Sequence, residues 1–128
     1  MRLAICAAII DKHKVLLVKK KETWILPGGK PEFGETDLEC LCREIEQEMP
    51  GTEITNISYH QEFQGCAPHT HDQIIARVHR ADYISSPFQP AMEINDAQWI
   101  LYDNINKYNI SDPTLKAIES LHAQGFLK

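Results

Sequence analysis

An unbroken apolar run, Leu3 to Ile10, predicts a buried strand near the start of the chain. Asp11 to Lys14 then reads as a turn and Val15 to Lys19 as a second strand. Further on, Ile57, Tyr59 and Phe63 share one parity of a strand from about Thr55 to Gln64. Two more strands are expected, from about Gln73 to Tyr83 and from Ala97 to Tyr102. Between the early and late strands the period changes. Thr36-x-x-Glu39 is a capping-box pattern, and after it Leu38, Leu41, Cys42, Ile45 and Met49 fall on one stripe at about 100° per residue. That stripe is expected to face the core, with Glu44 and Glu48 one turn apart on the opposite side, Gln47 beside them and Cys40 one turn before Glu44. A last helix opens at Asp112-Pro113, a cap followed by proline at the first helical position, and ends near Gly125. Strands outnumber helices, and each of two amphipathic helices needs a sheet face to cover. The pattern therefore predicts an α/β fold, a three-layer α/β/α sandwich with a central mixed β-sheet, as a single domain over 1–128.

Charge sharpens this picture at one place. From Glu32 to Glu48 there are seven acids (Glu32, Glu35, Asp37, Glu39, Glu44, Glu46, Glu48) and one base, Arg43. The segment carries −6 while the whole chain carries −5, so the remainder sums to +1. Two carboxylates at i and i+4 with no lysine at that spacing cost helix stability through repulsion. A dense carboxylate site on a helix, reached through the loop Pro27-Gly28-Gly29, suits a hard divalent cation, Mg²⁺ or Mn²⁺.

The same residues resemble the signature of the Nudix hydrolases, G-x5-E-x7-R-E-U-x-E-E-x-G-U with U aliphatic. Gly29, Glu35, Arg43, Glu44, Ile45 and Glu48 match it in spacing, and Trp24-Ile25-Leu26-Pro27-Gly28 is similar to the family's lead-in. Looser resemblance runs from Leu3 to about Leu121. It implies the α/β/α sandwich and hydrolysis of a nucleoside diphosphate linked to another group, by water attacking phosphorus. It also implies a metal held by Glu44 and Glu48, with the Gly28 carbonyl and Gln47 as further ligands. Glu93, six residues before Trp99, is similar to a glutamate that many members supply from a distant loop, as auxiliary ligand or base. Which carboxylate takes the water's proton varies within the family. Arg43 and Glu35 are expected to pair and brace the loop against the helix, because an arginine left unpaired beside the core is costly.

Three positions depart from the signature. Gln47 stands where a glutamate is usual, Pro50 where a glycine is, and Gly51 where the closing aliphatic residue is. Gln47 offers an oxygen without charge, so metal binding should be weaker. Pro50 disfavours helical geometry at Met49 and should stop the helix there.

Composition narrows the remaining possibilities. Leu3 to Ile10 is too short for a membrane span and has no convincing cleavage region, so a cytoplasmic protein without membrane association is expected. Cys6, Cys40, Cys42 and Cys66 form no Cys-x-x-Cys pair, and no disulfide or zinc framework is expected. Phosphate contacts need cations: Lys19-Lys20-Lys21 is the basic run, and Arg77 is a further candidate. His69-Thr70-His71 lacks a third ligand, and Trp24 and Phe63 read as core rather than base-stacking residues. A negative chain without interleaved basic and aromatic residues disfavours dedicated nucleic-acid binding. The expected partner is a small nucleotide, and a homodimer stays open. Two function classes remain: a metal-dependent pyrophosphohydrolase, acting on a nucleoside triphosphate or related small nucleotide, and a Nudix-fold binding or regulatory module with little turnover. Pro68 lies near, but not on, the proline associated with ADP-ribose-type members.

Overall fold

The apolar N-terminal run forms β1 (Arg2–Asp11), the centre of a seven-stranded mixed sheet. A computed structural model describes residues 2–67, 70 and 72–128, so Pro68, His69 and His71 lie outside the described residues. Lys12 and His13 both adopt positive φ, 51° and 65°, and turn the chain into β2 (Lys14–Lys20) with Ile10 opposite Val15. Such a pair of positive φ angles matches the right-handed twist of the two strands. The short strands β3 (Thr23–Ile25) and β4 (Gly28–Gly29) follow. Then come α1 (Asp37–Glu48), β5 (Glu53–Cys66), β6 (Gln73–Ser85) and β7 (Ile94–Ile100). A 3-10 helix at Tyr102–Lys107 leads to α2 (Asp112–Ala123).

The main strand order is β3-β2-β1-β6-β5, with β4 on β1 and β7 on β2. β1 and β6 run parallel, from Arg2 opposite Ile74 to Ile10 opposite Asp82; the other pairs are antiparallel. Alternation along β1 divides the core in two. Cys6 and Ala8 face α2, packing with Leu17, Val78, Ile118 and Leu121. Ile5, Ala7 and Ile9 face α1, packing with Leu16, Val18, Leu41 and Ile45. Burying each of these large aliphatic side chains contributes about 1.5–3 kcal/mol. The expected three-layer sandwich is the fold of this chain.

Several local expectations change. Leu38 and Cys42 are exposed, whereas Cys40 is fully buried with Leu41, Ile45 and Met49. The inward arc of α1 is thus rotated from the apolar stripe, and Glu44 and Glu48 belong to it. Hydrophobicity alone misplaced the face because the surface that α1 meets is partly the Gly28–Gly29 backbone, which accepts polar groups. Tyr59 is half exposed, while Ile57 and Phe63 pack on opposite faces of the sheet. Register shifts in β5 between Thr55 and Ser58, and between Tyr59 and Gln61, break the shared parity. β7 begins at Ile94, earlier than expected, and Tyr102 starts the 3-10 helix instead of ending a strand. Ser111 is the N-cap of α2, with Asp112 one place inside the helix. As anticipated from Pro50, α1 stops at Glu48 with Met49 as its C-cap.

Candidate active site

Two glycines let α1 approach the sheet. Gly28 pairs with Cys6 and Gly29 with Ile5, so the loop runs as a strand along β1. At Gly28 φ is +147°, and a Cβ would lie 2.8 Å from Cys6 Cα and closer still to the Ile5 carbonyl oxygen. At Gly29 the space of a Cβ is taken by the Glu44 carboxyl, whose Oε1 would stand 2.6 Å from it. The helix is fixed at its start by a complete capping box. Glu39 N–H donates to Thr36 Oγ1 (3.1 Å) and Thr36 N–H to Glu39 Oε1 (2.9 Å). The buried Cys40 thiol donates to the Gly29 carbonyl (3.6 Å), tying helix to loop a second time.

Arg43 is the bracket between loop and helix. Its Nε and Nη2 donate to the two Glu35 oxygens (2.6 and 3.0 Å), and Nη2 also donates to the Lys30 carbonyl (3.0 Å). Its Nη1 donates to Glu44 Oε1 (2.9 Å) and more distantly to Gln47 Oε1 (3.4 Å). Glu35 in turn accepts from Glu32 N–H (2.8 Å). The Arg43 hydrogen bonds, helped by that backbone donor, hold the Glu35 carboxyl down at about 2. Glu35→Gln keeps one acceptor and loses the charge-assisted fork, so Arg43 loses its strongest partner. The expected outcome is a lower denaturation midpoint at pH 7 and partial loss of activity as Glu44 loses its fixed neighbour. A denaturant titration with an unchanged midpoint would mean that the brace adds nothing to stability.

Glu48 is different in kind. Its Oε1 accepts from Gly28 N–H (3.0 Å), and it has no cation within ion-pair distance among the described residues. Burial pushes its carboxyl up to about 8; the charges of Glu44 and Glu93 push the same way, and Gly28 N–H and Lys20 oppose them. It also sits in the last turn of a helix with no base there, at the negative end of the helix dipole. A charged Glu48 is therefore short of positive charge.

Glu44, Gln47 and Glu48 line one part of a cleft of about 740 Å³, together with Gly28, Gly29, Lys20, Lys21, Lys30 and Glu93. Ala4, Leu26, Ile74, Ala76 and Pro113 give the rest of the cleft an apolar wall, with the buried hydroxyls of Ser111 and Thr114 among them. Of the expected site residues, Glu35 and Arg43 stand beside the cleft rather than in its wall. Arg77 is committed elsewhere, to Asp37 (3.1 Å) and Glu62 (2.8 Å), and Trp24 and Phe63 are core. The sequence reading missed Lys30, Ser111 and Thr114. Lys30 directly follows the glycine pair, a signal that was available; nothing local marks the two hydroxyls.

A divalent cation fits this donor set. Among the described residues no three His, Cys, Asp or Glu side chains are grouped to hold a metal alone. Mg²⁺, however, is commonly held by one or two carboxylates and completed by water and substrate phosphates. Two partly buried carboxylates on the inward arc of α1, one of them without a paired cation among the described residues, supply that arrangement.

Comparison with known proteins bears on the family and the fold. The family model described as NUDIX domain matches residues 1–121. The chain is 29% identical over 106 residues to the NAD-capped RNA hydrolase NudC of Vibrio vulnificus (strain CMCP6), covering 79% of this chain and 39% of that protein. It spans well under half the length of the curated relatives it matches. Among solved structures it is similar to a MutT NUDIX hydrolase from Burkholderia pseudomallei (TM-score 0.78, 25% identity, 94% of this chain and 97% of that one). A NUDIX hydrolase from Nitrosomonas europaea shares the fold at TM-score 0.81 and 19% identity, over 96% of this chain and 89% of that one.

Proposed function

This chain belongs to the NUDIX domain family, and on that premise we propose that it is a Mg²⁺- or Mn²⁺-dependent pyrophosphohydrolase of a nucleoside triphosphate or related small nucleotide. The observation that carries the reading is Glu48, a partly buried carboxylate bonded to Gly28 N–H beside Glu44, in a cleft lined by three lysines. Glu44 and Glu48 would hold the cation, with the Gly28 carbonyl and the neutral Gln47 oxygen as further donors. When bound, the cation screens the diphosphate and acidifies an attacking water. Water adds to phosphorus as the bond to the leaving phosphate breaks. The water's proton passes to a cleft carboxylate, Glu93 being one candidate. Lys20, Lys21 and Lys30 offer charge to the phosphates, and the apolar wall takes the base. Arg43, held by Glu35, keeps the Glu44 carboxyl in place; both act by positioning.

The test is a panel of nucleoside triphosphates, nucleotide sugars and dinucleotides with Mg²⁺ or Mn²⁺, products identified. An NAD-capped oligoribonucleotide belongs in the panel because a relative is named for that substrate. Metal-dependent release of a nucleoside monophosphate with pyrophosphate or a second phosphorylated product is expected. Tight binding without turnover across the panel would favour a binding module.

Gln47→Glu adds a third carboxylate beside Glu44 and Glu48. The metal-free variant should melt slightly below wild type, by a few tenths of a kcal/mol of like-charge repulsion. Added metal should then raise its midpoint more than it raises wild type's, since hard cations gain from each carboxylate. Equal metal-induced shifts would show that Gln47 does not touch the ion.

A further inference from the structure

Lys20 and Glu93 form an ion pair of 2.7 Å in the wall of the cleft. The contact is built into the fold. A register irregularity between Lys19 and Lys20 places Lys20 opposite Ile94, next to Glu93. The loop carrying Glu93 is tied to the end of α1 by Ala91 N–H donating to the Glu48 carbonyl (2.9 Å). Glu93 is largely solvent-exposed and Lys20 partly so, so neither is locked by packing.

We propose that this pair is a charge-exchange latch, in which Lys20 holds Glu93 off the metal site until a polyphosphate draws Lys20 away. The inference rests on the metal-dependent reading above. Without nucleotide, Lys20 is the cation paired with Glu93, and a third carboxylate beside Glu44 and Glu48 would only add repulsion. A polyphosphate carries more negative charge than one carboxylate and competes for Lys20. Glu93 is then free to turn to the cation that the same polyphosphate brings. Metal and polyphosphate binding become mutually reinforcing, and Lys20 is the positioning residue through which each senses the other.

The test follows Mn²⁺ alone, and inorganic tripolyphosphate at saturating Mn²⁺, by shift of the thermal midpoint. Lys20→Met should bind Mn²⁺ alone more tightly than wild type, by about three- to fivefold, the range an exposed ion pair supports. It should bind tripolyphosphate more weakly. Glu93→Gln should leave the affinity for Mn²⁺ alone near wild type, and the double variant should lose the gain of Lys20→Met. A gain that survives in the double variant would mean that Lys20 acts only as a nearby charge, and the latch falls. Unchanged or weaker Mn²⁺ binding by Lys20→Met overturns it as well. A wild-type protein that does not respond to Mn²⁺ at all would instead remove the metal-dependent reading, and the latch with it.

Discussion

Glu48→Gln should lower metal-dependent turnover by about a hundredfold or more while making the metal-free protein more stable at pH 8. The two effects have one origin. Burial raises the Glu48 carboxyl to about 8, so the fold favours its neutral form. A raised carboxyl contributes stability that is fully present below the ordinary carboxylate range and is lost as pH rises through about 8. Over that window the metal-free wild type loses at most about 1.4 kcal/mol per pH unit from this group. Glutamine imitates the neutral acid at every pH and still accepts from Gly28 N–H. In chelator, denaturant titrations at pH 5 and pH 8.5 should therefore show the variant gaining on wild type as pH rises. Other groups, Glu35 among them, cancel in that comparison. Saturating Mg²⁺ should reverse the order, because wild type gains from the ion and the variant does not. Equal midpoints at both pH values would mean that Glu48 is not desolvated as described; normal turnover would remove it from the site.

Gly28→Ala should destabilise the protein by about 3 kcal/mol or more, the largest stability effect expected of a single methyl group here. The new Cβ would overlap the Ile5 carbonyl and stand 2.8 Å from Cys6 Cα, both backbone atoms of the central strand. Nothing flexible can yield. A φ of +147° adds strain that an L side chain rarely accepts. The thermal midpoint should fall by roughly 10 °C, and the Gly28 N–H that Glu48 accepts should be displaced. Gly34→Ala is the control: φ is +80°, yet no atom lies within 4 Å of the added Cβ, so only the backbone cost remains. Similar losses in the two variants would show that the close approach at Gly28 does not matter.

What the sequence determined by itself lies where physics is local. The capping box at Thr36 and Glu39 and the stop at Pro50 each depend on neighbours within a turn, and each is where the residues placed it; α2 starts one residue earlier than expected, with Ser111 as its cap. The apolar run of β1 has no alternative to burial. The Glu35–Arg43 pair was legible because an arginine next to the core needs a carboxylate, and the motif spacing supplied one. The metal-site roles of Glu44, Gln47 and Glu48 were named from the same spacing and still await the experiments above. Only the tertiary structure decided which arc of α1 turns inward, because that depended on two glycines offering bare backbone to Glu44 and Glu48. It also decided the parity of β5, since register is set by β6 across the sheet. The meeting of Lys20 with Glu93, and of the Ser111 and Thr114 hydroxyls with the apolar wall, was likewise decided there. These contacts join residues far apart in the chain. Their free energy comes from burial and charge pairing that exist only once the sheet has formed, so no window of sequence contains them.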